Sequence, residues 1–248
     1  MGLRLLLADS AAERDAARDV EARVFLEAFG NTPDTMELEY GRYADRSRFV
    51  TVLDEGTGRA VGAARIILPD HAGELKTLTD VAGGPWHLSP HSLRAAGLAG
   101  EPVWDAATLA VDRAHRRGSA GTEVVLALIH GLFRYTHRSG IRSAVTILDD
   151  HVLRLAQDMG VPWTPMAGAS SQPYLGSPAS TPCVLALGSY AAAIQERRPD
   201  LAPALVDGIF RSIAADPADL APGRGAATWD VAGSHLRSMA EAAGQRVT

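Results

Sequence analysis

Residues 103–139 constrain the fold more than any other part of the chain. An apolar run, VWDAATLAV from Val103, leads into a polar, glycine-containing turn, DRAHRRGSAG, and then into a segment from about Thr122 to Ser139. In that segment Val124, Val125, Leu126, Leu128, Ile129, Leu132 and Phe133 leave almost no polar stripe. The pattern predicts strand, turn and helix, and a helix apolar nearly all round must be buried between a sheet and further elements. Gly140 supplies its left-handed stop. Within the turn, Arg116, Arg117, Gly118, Ser119, Ala120, Gly121 and Thr122 put small residues where the backbone turns tightly. The two arginines sit just ahead of helix N–H groups that have no intrahelical partner. Such an end binds phosphate: the dipole contributes about 0.3–1 kcal/mol and each charge-assisted hydrogen bond about 1.5–3 kcal/mol, so a few together anchor a pyrophosphate. The other reading is an ordinary surface loop entering a helix. The turn is neither a P-loop, since the only lysine is Lys76, nor a three-glycine dinucleotide fingerprint.

The remaining chain supplies the partners this helix needs. Leu3–Ala8 reads as a first strand, and Ala11–Phe29 as a helix capped by Ser10 or Asp9, with Ala16, Ala17, Val20, Val24 and Ala28 at helical spacing. FVTVLD from Phe49 and AVGAARIIL from Ala60 flank the turn Glu55-Gly56-Thr57-Gly58 as a hairpin. Residues 69–102, rich in glycine and proline, read as an insertion or flap. SAVTIL from Ser143 is the next strand; Asp149 or Asp150 caps a helix through Met159 that Gly160 stops. A Gly/Ser/Pro-rich excursion from Pro162 to Pro182 precedes a buried strand from Cys183 to Leu187, and a helical tail follows from Ser189. Mixed α/β architecture around one sheet results, with residues 1–188 as one domain and 189–248 as a C-terminal helical extension.

A chain of 248 residues with 46% hydrophobic and 21% charged residues has the composition of a globular protein with a sizeable core. A net charge of -5 provides no global positive field for nucleic acid or an anionic membrane. No window approaches the roughly 18 apolar residues of a membrane span. The start of the chain has too short an apolar run for a signal peptide, and the lone Cys183 has no internal disulfide partner, so a cytoplasmic location is expected. His87 and His91 flank Pro90 and lack the zinc-helix pattern; no metal is expected.

The stretch LAVDRAHRRGSAGTEVVLALIHGLF resembles the acyl-CoA-binding motif of the GNAT N-acyltransferase superfamily, with Arg116 at the arginine position, Gly121 at the last small position and Ser119 where a glycine is usual. Downstream, Asp149, Val152, Ala156 and Gly160-Val161 occupy the places of that superfamily's Asn-x-x-Ala, tyrosine and Gly-Phe pattern, with Ala156 at the tyrosine. A second resemblance, to the acyl-homoserine-lactone synthases and N-acyl amino acid synthases, runs over about residues 20–187. It rests on Arg23-x-Phe25, Glu39 with Asp45, Gly62-x-x-Arg65 and WDAATLAV from Trp104, with Asp105 in place of a glutamate and Thr108 in place of an arginine.

The resemblance implies a GNAT-like fold: a single mixed, mostly antiparallel central sheet flanked by helices, here with extra C-terminal helices. It implies acyl-CoA or acetyl-CoA, or acyl carrier protein, as donor and a small-molecule amine as acceptor. The donor would lie where Leu109, Ala110 and Val111 splay from the strand at Ser143, with its phosphates on residues 116–122. A carboxylate near the strand end would take the amine proton, Asp105 first and Glu39 second; Arg65, Trp104 and Thr108 would contact the acceptor. The other reading of Arg65 is a structural pair with Glu39 or Asp45. His151 and Tyr174 are candidates for the proton donor that Ala156 is not, and Cys183 reads as core. Two alternatives stay open: a non-catalytic CoA-sensing or partner-binding module, and a signal synthase of the acyl-homoserine-lactone type. The tail is a candidate either to fold back over the sheet or to form an interface, such as that of a homodimer.

Overall fold

A computed structural model describes residues 2–71, 73–89, 91–92, 98, 102–116 and 118–221. In chain order they form β1 (Leu3–Leu7), α1 (Ala11–Phe29), α2 (Pro33–Tyr40), β2 (Ser47–Asp54), β3 (Arg59–Ile67), α3 (Lys76–Gly83), β4 (Val103–Val111) and α4 (Gly118–Arg138). There follow β5 (Ser143–Asp149), α5 (Asp150–Asp158), β6 (Thr164–Pro165), β7 (Gln172–Tyr174), β8 (Ser177–Ala186), α6 (Tyr190–Arg197), α7 (Ala202–Leu205) and β9 (Ile213–Ala214). The strands make one sheet ordered β6-β8-β5-β4-β3-β2-β1-β9, with β7 paired to β8. Only β1 with β9 and β4 with β5 run parallel; every other pairing is antiparallel. This is the mixed, mostly antiparallel sheet expected from the sequence.

Local chemistry explains the elements. Ser10 caps α1 in a reciprocal box with Glu13, and Gly30, at φ 73°, closes it. The apolar helix α4 lies on one face of the sheet, where Val124 and Leu128 meet Gly62 of β3 and Gly131 meets Val50 and Leu5. A Cβ at Gly131 would stand 2.4 Å from Val50 Cγ1, so glycine there sets how closely helix and sheet approach. On the opposite face α1 covers Leu6, Phe49, Ala63 and Ala110 through Ala17, Val20 and Val24. Beside it Met36 and Tyr40 of α2, with Leu75 and Val81, cover Ile67, Val103 and Val145.

Three local expectations differ from the structure. Helix α4 begins at Gly118, a full turn before the expected Thr122, because residues 118–121 already adopt the first helical turn. Residues 69–102 are not irregular throughout: they contain α3, a helix whose own N-cap, Leu75, has no side chain to cap it. The segment after Ser189 is not wholly helical: β9 adds to the sheet edge beside β1, and Tyr190, Ile194, Leu205 and Leu220 join the core under α4. Residues 222–248 lie outside the described residues.

Candidate active site

β4 and β5 form a fork. They pair only at Val103–Ser143, Trp104–Ala144 and Asp105–Val145. Beyond Asp105, β4 continues with β3 on one side and β5 continues with β8 on its far side, so their facing edges carry no ladder to each other. Just past the branch, Thr146 Oγ1 donates to Ala106 O at 2.7 Å, a side chain standing in for the next ladder bond. A bulge lies at the same point: Ile66 pairs with Ala106 and Arg65 with Thr108, leaving Ala107 as the extra residue. Strict alternation would put Asp105 and Thr108 on opposite faces; the bulge puts both on the α1 side. Backbone N–H and C=O groups on an unpaired strand edge need partners, and an extended amide-bearing ligand supplies them.

The unpaired end of β4 leads directly to the turn and α4. Asp112 accepts from Ala114 N and pairs with Arg23 of α1 at 2.8 Å, fixing the strand exit. Gly121 is packed against this turn: a Cβ there would lie 2.5 Å from His115 O and 2.7 Å from Arg116 C. Gly118 adopts φ 72°, and Thr122 Oγ1 bonds back to Gly118 O. The N-terminus of a 21-residue helix thus opens at the mouth of the fork, and its first N–H groups have no intrahelical partner. Arg116 is exposed, but its Nε donates to Val111 O at 2.7 Å and its other end approaches Glu27 at 3.9 Å, which holds the guanidinium beside the turn. Arg117 and the side chains of Ser119 and Ala120 lie outside the described residues.

On the α1 face a polar cluster surrounds the base of the fork. Arg65 makes two hydrogen bonds to Glu21, and Thr108 donates to the same carboxylate; all three side chains are buried. Arg65 therefore pairs with Glu21, and not with Glu39 or Asp45. Lys76 is buried as well, with Nζ donating to Glu39 at 2.7 Å, Asp80 at 2.6 Å and Tyr174 Oη at 2.9 Å, while Tyr174 donates to Asp80. Tyr40 separates the two cations, 4.7 Å from the Arg65 guanidinium and 5.2 Å from Lys76 Nζ. Burial raises the phenols of Tyr40 and Tyr174 well above the usual tyrosine range.

Asp105 differs most from expectation. It is fully buried, with Oδ2 accepting from Thr77 N at 2.6 Å and Oδ1 from Thr77 Oγ1 at 2.9 Å. It is the cap that α3 lacks in its own sequence, supplied by a strand distant along the chain. Desolvation pushes its carboxyl up to about 6, against the opposing pull of the Thr77 bonds and Lys76. Glu39 keeps 29% side-chain exposure and reaches solvent beside the cluster.

The structure thus brings Asp105, Glu39, Arg65 and Thr108 to one face, and Leu109, Ala110, Val111 and Gly121 to the fork and its mouth. It does not bring Trp104 with them: that ring packs under α4 against Tyr135, centroids 5.2 Å apart, on the opposite face. His151 is exposed at the start of α5, and Cys183 is buried with its thiol pushed up to about 12 by desolvation. Sequence reasoning missed Glu21, Lys76 and Asp80. Signals were present: Glu21 interrupts the Ala17–Val20–Val24 stripe, and Lys76 and Asp80 are spaced i, i+4 around the only lysine. A cleft of about 620 Å³ lined by Asp9, Arg14, Arg18, Asp45, Ser47 and Arg48 opens beside the start of α1, and Ser47 Oγ accepts from Arg65 at 3.4 Å.

No protein-family model and no curated protein matches the sequence. Solved structures do match in fold. FeeM, an N-acyl amino acid synthase from uncultured soil microbes, is 14% identical with a TM-score of 0.60, over 79% of this chain and 97% of that one. BjaI, a CoA-dependent acyl-homoserine lactone synthase with SAM and isopentyl-CoA, is 17% identical with a TM-score of 0.55, over 87% and 94%. The acyl-homoserine lactone synthase LasI is 17% identical with a TM-score of 0.52, over 78% and 94%. The arrangement of sheet and helices described above is the one these proteins share.

Proposed function

We propose, from the premise that the chain has a GNAT-like acyltransferase fold, that it moves an acyl group from acyl-CoA or acyl carrier protein to the amino group of a small molecule. The observation that carries this reading is the fork: paired strands that part at Asp105, with a glycine-lined helix N-terminus at the mouth. Fork and helix end together match the two halves of a CoA-type donor. The pantetheine amides bond the free edge of β4 from Ala107 to Val111, and the phosphates meet the N–H groups at residues 118–122, with Arg116 beside them. Gly121 fits this role because a side chain there would displace the turn that shapes the cradle.

The reaction is direct attack. The neutral amine adds to the thioester carbonyl carbon, a C–N bond forms, the C–S bond breaks and the thiolate leaves. A backbone N–H of β4 beyond the bulge supports the developing oxyanion. Before attack Glu39, the most exposed carboxylate around Lys76, takes the ammonium proton through a water; after attack the added nitrogen loses its second proton as the amide forms, and the departing thiolate takes it up to leave as free thiol. Asp105 serves as a positioning residue: it fixes Thr77, and with it the first turn of α3 that carries Lys76 and Asp80. The amine acceptor is in keeping with the N-acyl products of the fold relatives.

The test is free-thiol release from acetyl-, medium-chain and long-chain acyl-CoA, and from an acyl carrier protein, with a set of amines, confirmed by the mass of the amide. Release with matching amide supports the reading. Acyl-CoA binding without release over hours, with any amine, favours a CoA-sensing module instead. Methylthioadenosine formed from S-adenosylmethionine would favour a signal synthase.

A further inference from the structure

The side-chain donors of Arg65, Lys76, Thr77 and Thr108 on the acceptor side of the fork are already engaged within the protein, mostly with its carboxylates. Arg65 gives its Nε and one terminal nitrogen to Glu21, and Thr108 adds its hydroxyl to the same group. Lys76 divides its three protons among Glu39, Asp80 and Tyr174, whose own proton goes to Asp80. Thr77 spends both its N–H and its hydroxyl on Asp105. The rings of Tyr40, Phe49 and Tyr174 cover the faces of the two cations. Farther out, Arg42 faces Glu74 at 3.6 Å and Arg46 faces Asp70 at 3.9 Å.

Charge is correspondingly one-sided. Glu21 balances Arg65, whereas Glu39, Asp80 and Asp105 together face the single ammonium of Lys76. A substrate ammonium entering beside Glu39 and Asp80 meets unspent carboxylate lone pairs and aromatic rings. A substrate carboxylate entering with it meets like charge, and the two buried cations there are already paired with carboxylates of the protein, so it loses its hydration with little replacement.

We infer that the acceptor is an amine without a carboxylate, such as an alkyl diamine or an arylethylamine, and that α-amino acids are selected against. This rests on the acyltransferase reading above and narrows it: the fork sets where reaction occurs, and the committed donors set which amine is accepted. The inference separates this chain from the amino-acid acceptor named for the FeeM structure, despite the shared fold.

The experiment compares matched pairs differing only in the carboxylate: tyramine with tyrosine, cadaverine with lysine, putrescine with ornithine, and histamine with histidine. Thiol release from the best acyl-CoA gives kcat/KM for each member. In every productive pair the amine is expected to exceed the amino acid at least tenfold, which corresponds to about 1.4 kcal/mol. Equal or better use of the amino acids overturns the inference while leaving the acyltransferase reading intact. Failure of every member of every pair to release thiol overturns both together. Asp80→Asn is expected to lower the amine-to-amino-acid ratio at least threefold. That ratio, measured within one preparation, does not depend on how much protein is folded, and an unchanged ratio also overturns the inference.

Discussion

Replacing Asp105 by asparagine isolates the cost of ionising a carboxyl at the base of the fork. The side chain is fully buried, and its oxygens accept only from Thr77. Asparagine keeps an oxygen for Thr77 N–H and offers an N–H toward the Thr77 hydroxyl, so shape and pairing survive while the charge does not. In the native protein the carboxyl titrates at about 6, against 3.8 when unfolded. At about 1.4 kcal/mol per pH unit, that rise corresponds to about 3 kcal/mol. Its sign is fixed by the direction: a folded-state value above the unfolded one gives stability that is present below pH 3.8 and lost as pH rises through 6. Wild type should therefore lose stability relative to Asp105→Asn as pH rises, by roughly 2.5 kcal/mol between pH 4 and pH 8, most of it before pH 6. Urea denaturation of both proteins across that range measures the difference directly. A difference flat with pH would mean that water reaches Asp105. A difference of opposite slope would mean that Lys76 and the α3 N-terminus outweigh burial. Either result refutes the assignment of Asp105 as a buried cap that desolvation holds above the usual carboxyl range.

Three further outcomes follow from the geometry. Gly121→Ala places a Cβ 2.5 Å from His115 O, so the turn must shift; acyl-CoA affinity measured by calorimetry should fall at least tenfold, with about 1–3 kcal/mol lost from stability. Glu21→Ala strands the buried Arg65 guanidinium and should cost about 3–5 kcal/mol in urea denaturation, whereas the double variant Glu21→Gln with Arg65→Met should recover most of that loss. His130 is buried against Leu205 O, and desolvation holds its pKa below the usual value, so its contribution is present above pH 6.5 and is lost as pH falls below it. His130→Gln should flatten stability between pH 7.5 and pH 5.5, a trend opposite in sign to that of Asp105.

How much of this was legible in the sequence depended on how local its cause is. The capped helix α1, the hairpin of β2 and β3 and the strand–turn–helix at residues 103–139 are specified by short-range patterns, and each stands close to where those patterns put it. The parting of β4 from β5 was expected at Leu109–Val111 and lies nearer the start of the strand, just after Asp105. The start of α4 was set too late because Gly118 and Gly121 read as a loop, although tight packing of Gly121 on the preceding turn lets the helix begin there. Helix α3 was missed because its cap is Asp105, a residue contributed by β4. That Asp105 and Thr108 share a face, and that Trp104 does not join them, follows from alternation broken by the bulge at Ala107. The role of Glu21 required knowing that α1 crosses β3 and β4 where Arg65 and Thr108 point toward it. Nearest-neighbour chemistry wrote the elements; the polar cluster exists only through contacts between distant ones.

The central claim, that the fork and the α4 N-terminus hold a CoA-type donor, is tested most directly by thermal unfolding with free CoA, acetyl-CoA, a medium-chain and a long-chain acyl-CoA. A donor present at about 100 times its Kd stabilises the native state by about 2.7 kcal/mol, which for a chain of this size raises Tm by roughly 5–10 °C. The expected result is a shift that depends on acyl length and falls to about half or less in Gly121→Ala, as a tenfold weaker Kd requires. No shift with any of the four, nor with an acyl carrier protein, would contradict the account.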